Sequence, residues 1–202
     1  MLKIWGFAAS SNVQKVMWCA DEMGLPWERV DIIGPKLKEP TYLALNPNGL
    51  VPTIDDDGFM LWESNTILRY LASKHGKLAP TNVAARADVE RWMDWQLSSL
   101  VFCMAPLFRG WARTPPEQRD LAALAAHHKN AIPLWTLFDR HLAGRAFVGG
   151  ADFTIGDIPP AVWIHRWYIM PIERPDLPNL RAWYERLLAR PAYKKHVALP
   201  LA

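Results

Sequence analysis

Ser10-Ser11-Asn12-Val13 follows a short apolar strand, Leu2-Lys3-Ile4-Trp5, and opens a helix. A small hydroxyl therefore sits where many thiol proteins of this layout carry Cys-x-x-Cys, and the chemistry it suggests is activation of a thiol. The helix follows from spacing: Val13, Val16, Met17, Ala20 and Met23 recur at helical steps, Ser10 or Ser11 stands at the cap position, and Gly24 follows the last turn. The first-turn amides and the positive helix end then point at whatever lies beside Ser10. A free thiol has a pKa of roughly 8.5, and lowering it by about two units takes roughly 2.7 kcal/mol of preferential anion stabilisation. One charge-assisted hydroxyl bond plus a helix terminus has about that capacity. The competing reading of the same residues is an ordinary serine N-cap.

The elements that must position this site divide in two. Residues 1–78 read as strand, helix, strand, loop, strand, turn, strand, helix. The second strand is expected over Glu28 to Ile33, the third over Val51 to Ile54 and the fourth over Phe59 to Trp62, with Asp55-Asp56-Asp57-Gly58 as the tight connection. Asn46-Pro47-Asn48-Gly49 marks a turn, and Pro52 lacks the amide that a ladder needs. A cis Val51-Pro52 bond would leave the Val51 amide and carbonyl free to pair with an extended peptide, whereas the base rate of such bonds favours trans. Ser73 to Asn82 reads as a linker.

Residues 84–202 read as all-helical. Val89, Trp92, Met93, Leu97, Leu100 and Val101 draw one stripe, with Pro106 and Gly110 expected to interrupt or end it. Thr114-Pro115-Pro116-Glu117 has the form of a capping box starting the next helix, which Pro133 should bend or break before Gly144. Thr154-Ile155-Gly156-Asp157 is a second box, in which the aspartate serves folding rather than chemistry. Pro159 and Pro160 should distort the turns that follow it. Leu180, Trp183, Tyr184, Leu187 and Leu188 form a final amphipathic helix.

Composition narrows the function classes. Half of the 202 residues are apolar, enough for a substantial core. The 23 basic and 20 acidic groups leave a net charge of only +3, with no basic run to argue for nucleic acid. No membrane-spanning stretch or secretory signal is visible, so a cytoplasmic protein is expected. Cys19 and Cys103 lie far apart in apolar helical stretches, where an unpaired cysteine packs as a small core residue. His127-His128 lack partners at metal-ligand spacing, so no metal is expected.

Four segments in this order and spacing resemble a cytosolic glutathione transferase of the serine type, in its bacterial form, over essentially the whole chain. They are Ser10 to Val16, Asn46-Pro47-Asn48-Gly49-Leu50-Val51-Pro52, Trp62-Glu63-Ser64-Asn65, and Phe153-Thr154-Ile155-Gly156-Asp157-Ile158-Pro159. The resemblance implies an α/β thioredoxin-like glutathione-binding domain over 1–78 and an all-α domain over 84–202 that contributes the electrophile pocket. It implies that Ser10, six positions before Val16 as in related plant, insect and bacterial classes, bonds the glutathione sulfur, with Ser11 and Asn12 as fallbacks. Val51, before Pro52, would bind the cysteinyl backbone, Glu63 and Ser64 the γ-glutamyl end, and Lys38 the glycyl carboxylate. Leu50 and Leu37 stand where the family commonly has polar contacts, which weakens the expected affinity. A homodimer is implied, through the helix after Glu63 and the helix around Val89 to Val101.

The reaction expected from these residues is attack of glutathione thiolate, as co-substrate, on a small apolar electrophile. The electrophile pocket would combine Phe7 and Ala8 with Met104, Phe108 and Trp111 beside Pro106 and Gly110, closed by Trp163 and Trp167. Arg109 and Arg113 could favour an anionic or polarised substrate. Competing readings are a binding or regulatory protein on the same fold, and peroxide reduction, isomerisation or dehalogenation with the same thiolate. A thiol-disulfide reductase would need a nucleophilic cysteine at the helix start, where this chain has serine.

Overall fold

The computed structural model describes residues 1–200. Strand β1 (Leu2–Trp5) lies at the centre of a four-stranded sheet of order β2-β1-β3-β4. It pairs in parallel with β2 (Trp27–Val30) and antiparallel with β3 (Thr53–Asp56), which pairs antiparallel with β4 (Phe59–Trp62). Two expected strands shift. The second begins and ends earlier than Glu28 to Ile33. The third begins at Thr53, the residue that pairs with Trp62, so that Pro52 stays outside the ladder to which it could not donate. Asp55 and Asp56 remain in the strand, and the turn narrows to Asp57-Gly58, both with positive φ, the geometry of a two-residue hairpin.

Helix α1 (Ser11–Met23) joins β1 to β2 and ends on Gly24 in the left-handed conformation. Its apolar stripe is the one the spacing predicts, yet Gln14, Lys15, Trp18 and Cys19 are buried as well. The reason is tertiary. One side of α1 packs on α3 (Ser64–His75), and the other is covered by α7 (Ile158–Ile169) and α9 (Pro191–His196) of the helical region. The ion pair of Arg190 with Glu22, at 2.5 Å, ties the end of α8 (Pro178–Leu188) to the same helix. A site at the N-terminus of α1 is therefore built between the two halves of the molecule. Between β2 and β3 lie a 3-10 turn (Gly34–Lys38) and the short α2 (Pro40–Leu43).

In the helical region α4 (Val83–Trp95) continues through a π-helical turn (Gln96–Leu100) into α5 (Val101–Ala112). Neither Pro106 nor Gly110 stops it, contrary to expectation. Gly110 is a packing residue: a Cβ there would come within 2.3 Å of Leu124, so its absence lets α5 and α6 (Leu121–Leu142) approach. Likewise α6 runs unbroken past Pro133, because its buried face of Leu124, Ala131, Trp135, Phe138 and Leu142 outweighs the roughly 3 kcal/mol that an interior proline costs.

The Thr114 box does not start a helix. The Thr114 hydroxyl donates back to the Arg109 carbonyl, Pro116–Gln118 makes one 3-10 turn, and Asp120 caps α6 by accepting from the Ala123 amide at 2.9 Å. Asp157 has the structural role expected of it, by a wider network than a box. Fully buried, it accepts from the Val148 amide, the Thr154 amide and hydroxyl, and the Trp183 indole, all within 3.1 Å. Burial pushes its carboxyl up to about 6. Pro159 and Pro160 do not distort α7: they fall in its first turn, where amides have no intrahelical partner, and the first bond, Ala161 N–H to Asp157 O, is a normal 3.0 Å. The helix over Leu180 to Leu188 is not the last, since α9 follows.

Candidate functional site

The sequence places Ser10 at the N-cap of α1 with extended backbone, but its hydroxyl makes no capping bond. The backbone alone holds the turn: the Ser10 amide donates to Phe7 O at 3.1 Å and the Gln14 amide to Ser10 O at 2.9 Å. The hydroxyl is thus left available at a helix terminus of positive potential.

Two small cavities meet at this first turn. One, of about 50 Å³, is lined by Asn12, Asn46, Asn48, Leu50, Val51, Pro52, Trp62, Glu63 and Ser64. Its floor is the loop before β3, which is held from below. The Tyr42 hydroxyl and the Asn46 amide group both donate to Leu50 O, at 2.7 and 2.8 Å, and both contact the buried Thr53 hydroxyl. Gly49 has φ +61°, and a Cβ on it would lie 2.7 Å from Leu37 O and 2.8 Å from Lys38 Nζ, so only glycine fits this turn. The Val51-Pro52 peptide is cis, and neither the amide nor the carbonyl of Val51 takes part in the hydrogen bonds of the loop among the described residues.

Among the described residues Glu63 is one of three non-glycine residues with positive φ, at +73°, a costly conformation that turns the chain into α3. Ser64 follows, buried at the first position of that helix, where its amide has no intrahelical acceptor. Lys38 sits on the exposed rim, its ammonium donating to Asn48 O at 3.3 Å.

The second cavity, about 150 Å³, is lined by Phe7, Ser10 and Ser11 from the sheet domain and by Ala105, Phe108, Arg109, Arg113, Trp163 and Arg166 from α5, the residue after it, and α7. Of the residues expected here, Phe7, Phe108 and Trp163 line it. The others need correction. Met104 is fully buried in the core, and Trp167 is buried against Trp135 and His128. Ala8 packs on the core, and Trp111 lines a different cavity with Leu121, Leu124 and Ile172. The cause is helical phase: on α5 and α7 the cavity-facing positions are Ala105, Phe108 and Arg109, and Trp163 and Arg166, while Met104 and Trp167 point into the helical core.

Sequence reading passed over Asn46, Asn48, Trp62, Ala105 and Arg166. The signal that would have found Arg166 is its place three residues after Trp163 on one helix face.

Behind the two cavities Lys15 is wholly buried, donating to Gln96 Oε1 at 2.8 Å, a contact that the π-helical turn provides, and to Asn65 Oδ1 at 3.5 Å. Burial, reinforced by the charge of Arg166, lowers its pKa to about 7, while Glu63 opposes the shift. The chain's own thiols are unsuited to chemistry: Cys19 and Cys103 are buried and unpaired, and burial raises the pKa of both, that of Cys19 strongly. Among the described residues no three His, Cys, Asp or Glu side chains gather as a metal site, and no helix is long and apolar enough to cross a membrane.

A mixed sheet of this order, with a cis-proline loop facing a helix N-terminus and a helical domain closing over it, defines a thioredoxin-like domain joined to an all-α domain, with a ligand cleft between them. The comparisons with known proteins agree. Family models for the glutathione S-transferase N-terminal and C-terminal domains match residues 9–74 and 121–186. The chain is 39% identical to glutathione S-transferase GstB of Escherichia coli over the full length of both, and 33% identical to glutathione S-transferase 3 of Zea mays, covering 99% and 95% of the two chains. The crystal structure of the theta class glutathione S-transferase from Xanthomonas axonopodis pv. citri with glutathione bound superposes with a TM-score of 0.95 at 44% identity, covering 100% of this chain and 99% of that one. The chain belongs to the glutathione S-transferase family of enzymes.

Proposed function

We propose that this enzyme activates the glutathione thiol with the Ser10 hydroxyl and joins it to a small electrophile held in the cavity beyond. The observation that carries the assignment is the free hydroxyl of Ser10 at the α1 terminus, on the wall of the larger of the two cavities and two residues before Asn12, which lines the other with Val51.

In this reading the tripeptide lies extended across the smaller cavity. The Val51 amide and carbonyl pair with its cysteinyl backbone as an added strand would. The Glu63 carboxylate takes the γ-glutamyl ammonium, and the Ser64 hydroxyl and amide take the carboxylate beside it, at a helix start suited to anions. Lys38 meets the glycyl carboxylate. Leu50 contributes only its side-chain surface, 61% exposed, where a polar group would add a bond, so glutathione binding is modest. The sulfur then reaches Ser10, whose O–H donates to the thiolate once the thiol proton has left to solvent. Thiolate attack forms the carbon–sulfur bond, and the leaving group departs with its electron pair.

Exposed Leu97 and Phe102 supply apolar surface for a homodimer through α3 and the helical run around Val89 to Val101. The cytoplasm supplies the reduced tripeptide. Retention on immobilised glutathione followed by turnover of chlorodinitrobenzene tests the reading. Retention without turnover would make the chain a binding protein on this fold, and neither retention nor turnover would remove glutathione from the account. Release of oxidised glutathione with a peroxide, in place of a conjugate, would move the same thiolate to a different second substrate.

A further inference from the structure

Ser10 and Ser11 share their cavity with three arginines, Arg109, Arg113 and Arg166, and among the described residues no acidic side chain lines it. Arg166 is the most constrained of the three. It is 6% exposed, its Nη2 donates to the neutral Gln14 Oε1 at 2.9 Å, and its Nη1 is buried with no hydrogen-bond partner among the described residues. Its guanidinium carbon lies 4.8 Å from the Phe108 ring centroid and 5.0 Å from that of Trp163. Burial and the charge of Arg113 lower its pKa to about 10, which leaves it a cation at neutral pH. A buried guanidinium without a carboxylate is costly, because neither rings nor an amide oxygen replace the lost hydration of a full charge.

Among the described residues Arg113 makes one hydrogen bond, a long 3.5 Å bond from Nη2 to Ala9 O, and its guanidinium carbon lies 6.0 Å from the Phe108 ring. Arg113 and Arg166 also line a smaller adjoining cavity with Ala9, Gln14, His165 and Val197. The positive charge thus extends away from Ser10, farther than a thiolate sulfur at that hydroxyl needs. What fits is a second anion, on a flat molecule, beyond the sulfur.

We propose that the second substrate is an aromatic electrophile carrying a carboxylate, whose ring packs on Phe108 and Trp163 and whose carboxylate is received by Arg113 and Arg166. The inference rests on the reading that glutathione binds with its sulfur at Ser10. Guanidinium forks match the planar oxygens of a carboxylate and stack on aromatic faces, so the four side chains suit one ligand class. For a chlorinated nitrobenzoate the step balances: the thiolate adds to the ring carbon bearing chlorine, the nitro group carries the charge of the adduct, and chloride leaves with its bonding pair. The carboxylate is unchanged.

The test compares a chloronitrobenzoate with its amide, which keeps the leaving group, nitro group and ring but lacks the charge. Each kcat/KM is divided by the rate constant of the uncatalysed reaction with glutathione, which removes the electronic difference. Wild-type enzyme is expected to favour the benzoate by about tenfold or more, the range of a charge-assisted hydrogen bond. Arg113→Gln and Arg166→Gln are each expected to erase most of that ratio, chiefly through KM. Arg113 is exposed, so its variant carries the test even where Arg166→Gln fails to fold. Equal normalised rates for the two compounds in wild type, or a ratio unchanged in Arg113→Gln, overturn the proposal.

Calorimetry with nitrobenzoate and nitrobenzamide, which have no leaving group, separates this proposal from the transferase reading. Tighter binding of the benzoate, lost in Arg113→Gln, supports the anion site even in an enzyme that turns over neither electrophile. Equal binding overturns it even in an enzyme that conjugates both.

Discussion

Replacing Ser10 by alanine separates thiol activation from folding more cleanly than any other change in the molecule. A serine N-cap normally contributes about 0.5–2 kcal/mol through its side-chain bond to a helix amide. Here that bond is absent, and the turn is held by the Ser10 amide on Phe7 O and the Gln14 amide on Ser10 O, both of which alanine keeps. The Ser10→Ala protein should therefore lose less than about 0.5 kcal/mol, a fall in Tm of roughly 2 °C at most for a chain of this size. The bound thiolate, by contrast, loses a charge-assisted hydrogen bond of about 1.5–3 kcal/mol. At roughly 1.36 kcal/mol per unit this raises the pKa of bound glutathione by about 1–2 units. At neutral pH kcat/KM should fall about 10- to 100-fold and recover partly as pH rises, because the alanine enzyme still binds the tripeptide. Two measurements check this: the pH profile of kcat/KM with chlorodinitrobenzene, and ultraviolet titration of the thiolate in the binary complex. A Ser10→Ala enzyme with the wild-type profile refutes the reasoning. The same displacement in Ser11→Ala or Asn12→Ala instead would move the role to that neighbour.

Gly49→Ala should cost roughly 1–2 kcal/mol for the left-handed backbone alone, and its methyl would press on Leu37 O and Lys38 Nζ. Glutathione affinity by calorimetry should drop about tenfold through movement of the Val51 loop. Asp157→Ala leaves the Val148 and Thr154 amides and the Trp183 indole without their acceptor, and denaturant melts should show a loss of about 3 kcal/mol or more. The raised carboxyl adds a pH signature: between the ordinary 3.8 and about 6 the folded state keeps a proton that the unfolded state releases. Stability from this group therefore falls as pH rises through that window, and the gap between wild type and Asp157→Ala should narrow. Lys15 has the matching sign for a base whose pKa is lowered. The unfolded chain holds more protons between about 7 and 10.5, so stability rises with pH there, and Lys15→Met should flatten that slope in thermal melts.

Much of the candidate site could be read along the chain because it is built from local turn chemistry. Asn46-Pro47-Asn48-Gly49 announces a turn that only glycine completes, Pro52 marks the end of pairing, and Ser10 and Ser64 stand at helix starts. The residues around the second cavity were harder to read, because helical spacing shows that a stripe is apolar but not which residues of it meet a neighbour. Met104 and Phe108 lie four apart on α5, yet one is in the core and the other lines the cavity. The misread breaks have the same origin. Pro106, Gly110 and Pro133 are helix breakers by intrinsic preference, and burial along α5 and α6 overrides a cost of a few kcal/mol.

By itself the sequence determined the order of the four strands and the helices α1 and α3, the hydroxyl at the first helix start and the absence of a cysteine there, since these depend on residue type and on contacts a few positions apart. Only the tertiary structure decided that α1 is buried from both sides, that Arg166 of α7 comes to lie in the cavity with Ser10, and that Lys15 sits uncharged-prone behind them. The contacts behind those facts join residues 50, 81 and 152 positions apart, and they follow from two domains closing on one helix. That closure removes water from the charges between them, a cost that depends on everything packed around a group and leaves no mark in its neighbours along the chain.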